Sequence, residues 1–238
     1  EGPVPDWKVF GPPGTGNGGK NRTYGFPRFG DAAFTARFPF ATVDLTQPDM
    51  PVDCSVTGWS PFIPGNADDS SLPAAILEYQ FQNTTDRPIQ SVFSFHSEQF
   101  MGTETTNCTI HAVQNGFELR QDPVSDAPWN EGSFSVTCLD HRPAVDCAWF
   151  RGSWFDARTM VWKHVQNGDT PANPPPDDGS PSPGASLYVP LTLKPDESSR
   201  VTLLLSWYVP RSTVQHGNTS EPCSSADRCK KMSPTYVP

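Results

Sequence analysis

The fold of this chain is decided by the stretch Trp59-Ser60-Pro61-Phe62-Ile63-Pro64-Gly65-Asn66-Ala67-Asp68-Asp69-Ser70-Ser71-Leu72-Pro73-Ala74-Ala75. Apolar and polar side chains alternate before it, from Val52 to Thr57, and again after it, from Leu77 to Gln82. A period of two is typical of half-buried strands. Three prolines and a polar run cannot continue a sheet ladder. The sequence therefore predicts two strands joined by a long connection that passes from one sheet to another.

The composition favours a turn-rich protein with little helix. The 238 residues include 27 prolines and 18 glycines, and only 18% are charged. This length is enough for one large β domain with a real core. The net charge of -9 argues against nucleic acid as a partner, because Lys and Arg drive phosphate binding. No apolar run is long enough for a membrane span.

Further short strands are predicted along the rest of the chain. Alternation recurs at 89–96, 107–112, 117–120, 133–139, 187–193 and 201–207. Asn115-Gly116 between two such runs is a strong hairpin signal. Residues 156–167 have the three-to-four spacing of a short helix, and the proline-rich segment 169–184 is expected to be an exposed loop. We predict an all-β fold: one large antiparallel β-sandwich, supersandwich-like, with long loops and at most one short helix.

Several separated motifs resemble one known family. They are Phe38-Pro39-Phe40-Ala41-Thr42-Val43, Pro51-Val52, Trp59 to Pro64, Asp69 to Ala75, Ala148 to Ala157 and Leu205 to Pro210. Their residues and their order resemble the N-terminal domain of glycoside hydrolase family 116, which includes β-glucosidases and glucosylceramidases. The resemblance implies that the catalytic carboxylates lie in a following α-helical barrel domain that is absent from this chain.

The domain organisation expected from the pattern and the resemblance has three parts. Residues 1–30 form an irregular N-terminal segment, residues 31–211 the β-sandwich accessory domain, and residues 212–238 an irregular tail leading toward the missing catalytic domain. The segment Gly14 to Lys20 fits the spacing of a phosphate loop, but Asn21 replaces the Ser or Thr that would hold magnesium. We expect no cofactor and no metal. His96 and His111 lie in predicted strands and are interpreted as structural or solvent-facing residues.

Six cysteines and four glycosylation sequons suggest an exported protein. The cysteines are Cys54, Cys108, Cys138, Cys147, Cys223 and Cys229, and their spacing fits no zinc motif. The favoured disulfides are Cys223 with Cys229, Cys138 with Cys147 and Cys54 with Cys108, with reduced, buried thiols as the alternative. The sequons begin at Asn21, Asn83, Asn107 and Asn218. We expect an extracellular or periplasmic location.

The densest aromatic segment, Ala148 to Trp162, supplies the candidate carbohydrate contacts. These candidates are Trp149, Arg151, Trp154 and Asp156. Exposed aromatic rings stack on sugar rings, while Arg and Asp side chains can bond to sugar hydroxyls. The competing interpretation is that the aromatic rings fill the space between two sheets and that Arg151 pairs with Asp156.

The resemblance and the residues together predict a non-catalytic N-terminal domain of a β-glucosidase-like hydrolase. Its expected partners are the catalytic barrel of the same parent chain and carbohydrate. One alternative is a free-standing carbohydrate-binding or adhesion module. A self-sufficient glycosidase is the second, and it would need two carboxyl groups about 5 to 5.5 Å apart. The neighbouring pairs Asp68, Asp69 and Asp177, Asp178 lie in polar turns that do not suit that role.

Overall fold

The computed structural model describes residues 29–102, 108–152 and 157–211. This part of the chain is mostly β-structure. It contains eleven strands, which are β1 Asp31–Arg37, β2 Phe40–Thr46, β3 Val52–Trp59, β4 Ala74–Asn83, β5 Ile89–Glu98, β6 Cys108–Val113, β7 Gly116–Gln121, β8 Gly132–Cys138, β9 Ala144–Asp146, β10 Gly184–Leu193 and β11 Ser198–Tyr208. A single helical turn, α1, spans Ala67–Ser70, and one helix of three turns, α2, spans Ala157–Asn167.

The strands form two antiparallel sheets of unequal width. The large sheet has the order β1-β2-β3-β4-β11-β8-β7-β6, and the small sheet has the order β5-β10-β9. Every pairing in both sheets is antiparallel. The sheets are not closed into a barrel. The prediction of a large antiparallel sandwich with long loops is therefore confirmed.

The core lies between the small sheet and one half of the large sheet. The large sheet contributes alternate residues of β7, β8 and β11, and the small sheet contributes alternate residues of β10. The fully covered members include Phe117, Leu119, Val136, Val201, Leu203, Leu187 and Val189. Because side chains alternate across a strand, one face of each of these strands supplies the core.

Two of the connections at which the chain crosses between the sheets are short turns that meet at Asn83. One turn joins β4 to β5, and the other joins β10 to β11. The side-chain nitrogen of Asn83, Nδ2, shares its two protons among the carbonyl oxygens of Arg87 (2.8 Å), Leu193 (3.1 Å) and Lys194 (3.0 Å). Asn83 is fully buried. Its sequon therefore offers no accessible amide for a glycan in the folded domain.

The position of the sheet crossing corrects the sequence prediction for Trp59 to Ala75. We expected this long connection to pass between sheets, but β3 and β4 are neighbours in the large sheet. Val56 pairs with Tyr79, so the two strands present their apolar side chains on the same face. The connection is long because it builds its own structure, including α1, and not because it spans two layers.

Other local predictions are confirmed. β6 and β7 form the hairpin expected at Asn115-Gly116, and Asn115 has the positive φ of 55° that such turns need. The predicted helix at 156–167 is observed as α2, and residues 169–183 form no strand or helix. In the part of the chain that the structure describes, no helix has the length and apolar character of a membrane span.

Candidate functional site

Trp149, a predicted carbohydrate contact, is buried. Only 4% of its surface is exposed. Its indole nitrogen donates to Ser186 Oγ at 2.8 Å, and its backbone N–H donates to Ser182 Oγ at 2.9 Å. The ring packs directly over Gly184, where a Cβ would collide with it. The position of Trp149 matches the core interpretation, because no face of the ring is open to a sugar.

Arg151 is partly exposed and pairs with the proline-rich loop. Its Nη1 donates to Asp178 Oδ1 at 2.6 Å and to the carbonyl oxygen of Ser180 at 3.0 Å. The hydrogen bond from Arg151 holds the pKa of Asp178 below its usual value, and the pKa of Arg151 is raised in return. Arg151 thus pairs with Asp178, whereas the sequence suggested Asp156. Trp154 and Asp156 lie outside the described residues.

The carbohydrate-contact hypothesis therefore stays a prediction for Arg151. Both partners of its ion pair are open to solvent, with 33% of the Arg151 side chain and 55% of the Asp178 side chain exposed. The neighbouring ring of Phe150 is 37% exposed. An aromatic ring beside a guanidinium and a carboxylate has groups that could contact a sugar face and its hydroxyls. The ion pair also serves a structural purpose, because it fixes residues 178–180 against residue 151.

His96 is a neutral, hydrogen-bonded residue of the small sheet. Its Nδ1 lies 2.8 Å from Ser186 Oγ, and its Nε2 lies 2.9 Å from Ser94 Oγ. The ring also packs edge-on against Tyr188, with the centroids 5.6 Å apart. Burial lowers the pKa of His96 to about 4, from an ordinary value of 6.5. His96 therefore stays uncharged at neutral pH. His111 is exposed and lies 3.0 Å from Thr109 Oγ1 through its Nε2.

The disulfides expected among the described cysteines are not formed. Cys54 lies on β3 and Cys108 on β6, five strand positions apart, which is about 24 Å at the usual strand spacing. Cys138 and Cys147 are free thiols in the core. Burial raises the pKa of Cys54 and of Cys147 to about 11. The reduced, buried alternative therefore applies to these residues, while Cys223 and Cys229 lie outside the described part of the chain.

Two acidic side chains, Asp69 and Asp146, form hydrogen bonds that support the local fold. Asp69 binds the side chain of Asn66, which caps α1. Asp146 accepts hydrogen bonds from the backbone of Ala148 and from the side chain of Asn173, both at 3.1 Å. Within residues 29–102, 108–152 and 157–211, no three His, Cys, Asp or Glu residues converge as metal ligands would.

An exposed aromatic cluster at one end of the large sheet was not predicted. We call it the hairpin patch, and it consists of Phe38, Phe40, Trp59, Phe62 and Ile63. Phe38 and Phe62 meet edge to face with ring centroids 4.7 Å apart, and Phe40 and Trp59 lie 5.6 Å apart. Phe38 is 77% exposed, and Phe40, Phe62 and Ile63 are each nearly half exposed. Large apolar side chains gathered on a surface often mark an interaction site.

The connection between β3 and β4 holds the hairpin patch in place. Ser70 Oγ lies 2.6 Å from the carbonyl oxygen of Asn66 and 3.1 Å from that of Ile63, which compete for its one proton, and it accepts the N–H of Ile63 at 2.9 Å. Asn66 accepts the N–H of Asp69 at 3.1 Å and so begins α1. The sequence signal for this ordered loop was the polar run Asn66 to Ser71, whose residues favour caps and turns. Pattern alone did not show that Phe62 and Ile63 face solvent.

A comparison with protein families identifies the chain. A family model described as "beta-glucosidase 2, glycosyl-hydrolase family 116 N-term" matches residues 4–235. The chain belongs to this family. It is thus an N-terminal domain of the glycoside hydrolase family 116 type, as the sequence motifs implied. The match covers the whole described part of the family 116 domain.

Comparisons with individual proteins add little. No curated protein sequence matches this chain. Among solved structures, it is similar to a putative kojibiose phosphorylase from the human microbiome, with a TM-score of 0.38 and 8% identity over 71% of this chain. A TPR-domain containing protein from Parabacteroides distasonis matches 83% of the chain, with a TM-score of 0.32 and 8% identity. The domain spans 18% of the first of these proteins and 38% of the second.

Proposed function

We propose that this chain is the non-catalytic N-terminal domain of a β-glucosidase-like enzyme. In this proposal it packs through the hairpin patch against an α-helical barrel domain of the same parent protein, and it helps to form one wall of the sugar-binding cleft. The family match supports the link to a glycoside hydrolase. The observation that carries the docking role is the exposed hairpin patch on an ordered loop.

The geometry of the hairpin patch suits a protein partner better than a sugar. The rings of Phe38 and Phe62 are inclined at 76° and those of Phe40 and Trp59 at 54°, so neither pair forms a flat platform. A sugar ring is bound best by an open, flat aromatic face, whereas inclined rings interlock with the side chains of another domain. Because hydrogen bonds already order the loop, little conformational entropy would be lost on docking.

The free-standing carbohydrate-binding module remains the alternative. It is favoured by one observation, the partly exposed group of Phe150, Arg151 and Asp178. In that case Arg151→Ala would weaken binding of the isolated chain to a soluble β-glucan in affinity electrophoresis. Under our proposal the isolated chain shows no such retention, and Arg151→Ala does not alter its mobility in the glucan gel relative to a gel without glucan.

The first experiment compares activity on an aryl β-glucoside for this chain and for the longer parent polypeptide. We expect activity only in the parent. The double substitution Phe38→Ser with Phe62→Ser should lower both the activity and the melting temperature of the parent, because it removes the apolar contacts between the domains. Leu139→Ser is a matched control, since Leu139 is 53% exposed but follows β8, away from the hairpin patch.

Two results would contradict the proposal. Activity in the isolated chain would mean that a carboxylate pair exists within these 238 residues. A parent enzyme that responds to the double substitution no more than to Leu139→Ser would show that the hairpin patch is not the docking surface. Export of the parent stays a prediction supported by the sequons at Asn21, Asn107 and Asn218. A mass shift on enzymatic deglycosylation of the protein from a eukaryotic host would test it.

A further inference from the structure

The core face of the large sheet continues beyond the part that the small sheet covers. Phe34 on β1 pairs with Val43 on β2, which pairs with Val56 on β3, which pairs with Tyr79 on β4. Cross-strand partners share one face of a sheet. We call the apolar side chains of this face on β1, β2 and β3 the open face, and its members are Ala32, Phe34, Ala36, Ala41, Val43, Leu45 and Val56.

Exposure along this face rises steadily away from the core. Leu203 on β11 is fully buried, Tyr79 on β4 is half-buried, and Phe34 on β1 is 67% exposed. The opposite face of the same strands carries polar groups, among them Thr42 and Thr57, whose hydroxyls lie 2.9 Å apart. The open face therefore has the composition of a core surface, but its members are only half-buried on β2 and β3 and are exposed on β1.

The small sheet stops where the open face begins. β5 pairs with β10 along its whole length, from Ile89 to Glu98, and among the described residues no strand pairs with its other edge. The ring of Phe93 on β5 contacts Tyr79 and Phe81 on β4, with centroids 4.7 and 5.7 Å apart. Thus β5 lies over β4, and its unpaired edge faces the side of β3, β2 and β1.

One kind of occupant would satisfy both features. A strand added to β5 would lie about 4.8 Å beyond it and about 10 Å above β3, which is the usual spacing of packed sheets. Its backbone would bond to the unpaired edge, and its alternate side chains would cover Val56 and Val43. A second added strand would reach Phe34. A helix could cover the open face, but it could not bond to the edge of β5.

A second copy of the domain cannot be this occupant through pairing of its own β5 edge. Two β5 strands pairing edge to edge around a two-fold axis would lie in one continuous sheet, with both large sheets on the same side. The β4 strand of the second copy would then occupy the space of β3, because each β5 lies directly over its own β4. The edge therefore accepts an extended segment with no sheet beneath it.

The two flanks of this sequence lack a suitable segment. The longest alternations in them, Asp6 to Val9 and Thr23 to Phe26, are four residues each and too short to pair with the ten residues of β5, and residues 212–238 have no alternating run. We infer that an extended segment of the parent polypeptide, from outside these 238 residues and with an apolar side chain at every second position, adds to the free edge of β5 and covers the open face. This inference rests on the proposed function, since it requires a longer parent chain.

Hydrogen exchange in the parent polypeptide tests the inference. We expect the amides of β5 to exchange as slowly as those of β11, which is paired on both sides. Val56→Asn should place a polar amide under the added strand and accelerate exchange in β5 by about tenfold. Ser55→Asn is the matched control, because Ser55 is the half-buried neighbour on the opposite face of β3, and it should leave exchange in β5 unchanged.

Three outcomes would overturn the inference. In the first, β5 exchanges in the parent as fast as β6, the strand at the far edge of the large sheet. In the second, Val56→Asn and Ser55→Asn give the same exchange rates in β5. In the third, β5 becomes protected only when another polypeptide is added, which would assign the strand to a different source.

The same experiment separates this inference from the proposed function. Hydrogen exchange does not depend on catalysis, whereas the proposed function is tested by β-glucosidase activity and by the hairpin patch. An inactive parent with a protected β5 would refute only the proposed function. An active parent with an unprotected β5 would refute only the added strand.

Discussion

The two halves of the large sheet have the same strand pattern but different surroundings. In the covered half, formed by β4, β11, β8, β7 and β6, the inner face packs against the small sheet, and residues such as Val136 and Leu203 are completely buried. In the open half, formed by β1, β2 and β3, the same face continues in register, but its side chains are mostly half-buried on β2 and β3 and are exposed on β1.

The difference shows that alternation and burial are separate properties. Alternation states which side chains share a face, whereas burial depends on whether a second layer lies above that face. Removing apolar surface from water stabilises a fold by roughly 25 cal/mol for each Å². The covered half gains this contribution within the chain, and the open half gains it only when another segment or domain covers it.

The largest expected contrast is between Leu203 and Phe34. Leu203→Ala should lower the free energy of unfolding by about 3 kcal/mol, because it leaves a cavity in the core. In the isolated chain, Phe34→Ala should change it by no more than about 0.5 kcal/mol, because the ring is already exposed. Urea denaturation measures both.

Leu204→Ala is the control for Leu203→Ala, since Leu204 is the half-buried neighbour on the opposite face. Its loss should be clearly smaller. A loss for Phe34→Ala as large as for Leu203→Ala would show that the open half is covered even in the isolated chain.

Asn83 joins two of the crossings that bring the small sheet over the covered half. Asn83→Ala would leave the carbonyl oxygens of Arg87, Leu193 and Lys194 without this donor. We expect a loss of about 2 to 3 kcal/mol in the free energy of unfolding. Gln82→Ala, at the neighbouring position, should cost less than about 0.5 kcal/mol. Equal midpoints for the two variants in thermal denaturation would refute the role of Asn83.

The two halves also differ in how much a Cβ on a strand glycine should cost in stability. A Cβ at Gly116 on β7 would collide with the carbonyl oxygen of Val136, so Gly116→Ala should cost about 2 kcal/mol. At Gly58 on β3 the nearest atom is the end of the Leu77 side chain, 3.3 Å away, which can move. Gly58→Ala should change stability by less than about 0.5 kcal/mol in either direction. Calorimetric melting of the two variants would show whether this ranking is reversed.

Protonation of His96 should lower the free energy of unfolding of the domain in mild acid. Burial lowers the pKa of folded His96 to about 4, while the unfolded residue titrates near 6.5. Between these values the unfolded chain binds the proton and the folded chain does not, so stability falls as the pH drops from 6.5 to 4. The slope due to His96 should be of the order of 1 kcal/mol per pH unit.

Denaturant unfolding at several pH values checks this slope. His96→Gln should flatten it, and the exposed His111→Gln is the control that should leave it unchanged. An identical slope in all three proteins would mean that other groups cause the pH dependence.

The smallest expected contrast concerns the rate at which two thiols react. Both Cys54 and Cys147 are buried with a raised pKa, but Cys54, on β3 in the open half, is 8% exposed and Cys147 is fully covered. Cys54 should therefore be alkylated by iodoacetamide several-fold faster, as read by peptide mass spectrometry. A disulfide at either residue in protein purified without reductant would contradict the free thiols of the structure.

The strands themselves could be predicted from sequence because their signals are local. Alternation from Leu77 to Gln82 and from Val201 to Trp207 marked β4 and β11, and Asn115-Gly116 marked the hairpin between β6 and β7. The pairing of β5 with β10 could not be predicted in the same way. The two strands are about 90 residues apart, and the turns at 84–88 and 194–197 resemble ordinary hairpin turns although both cross between sheets.

The candidate site was predicted less well than the strands. Arg151 was predicted as a sugar contact or a partner of Asp156, and in the described residues it pairs with Asp178, 27 positions further along the chain. The hairpin patch was missed, because exposure of Phe38 and Phe62 depends on what does not pack over them. Such a property has no local pattern in the sequence.

The sequence by itself determined the class of the fold and the family, since alternation, turn residues and ordered motifs are local features of the chain. The tertiary structure decided which strands share a sheet, where the chain crosses between layers and which half of the large sheet is covered. These features depend on contacts between distant residues, where packing and buried hydrogen bonds such as those of Asn83 select one arrangement. The same apolar pattern thus becomes a core in one half and an open face in the other.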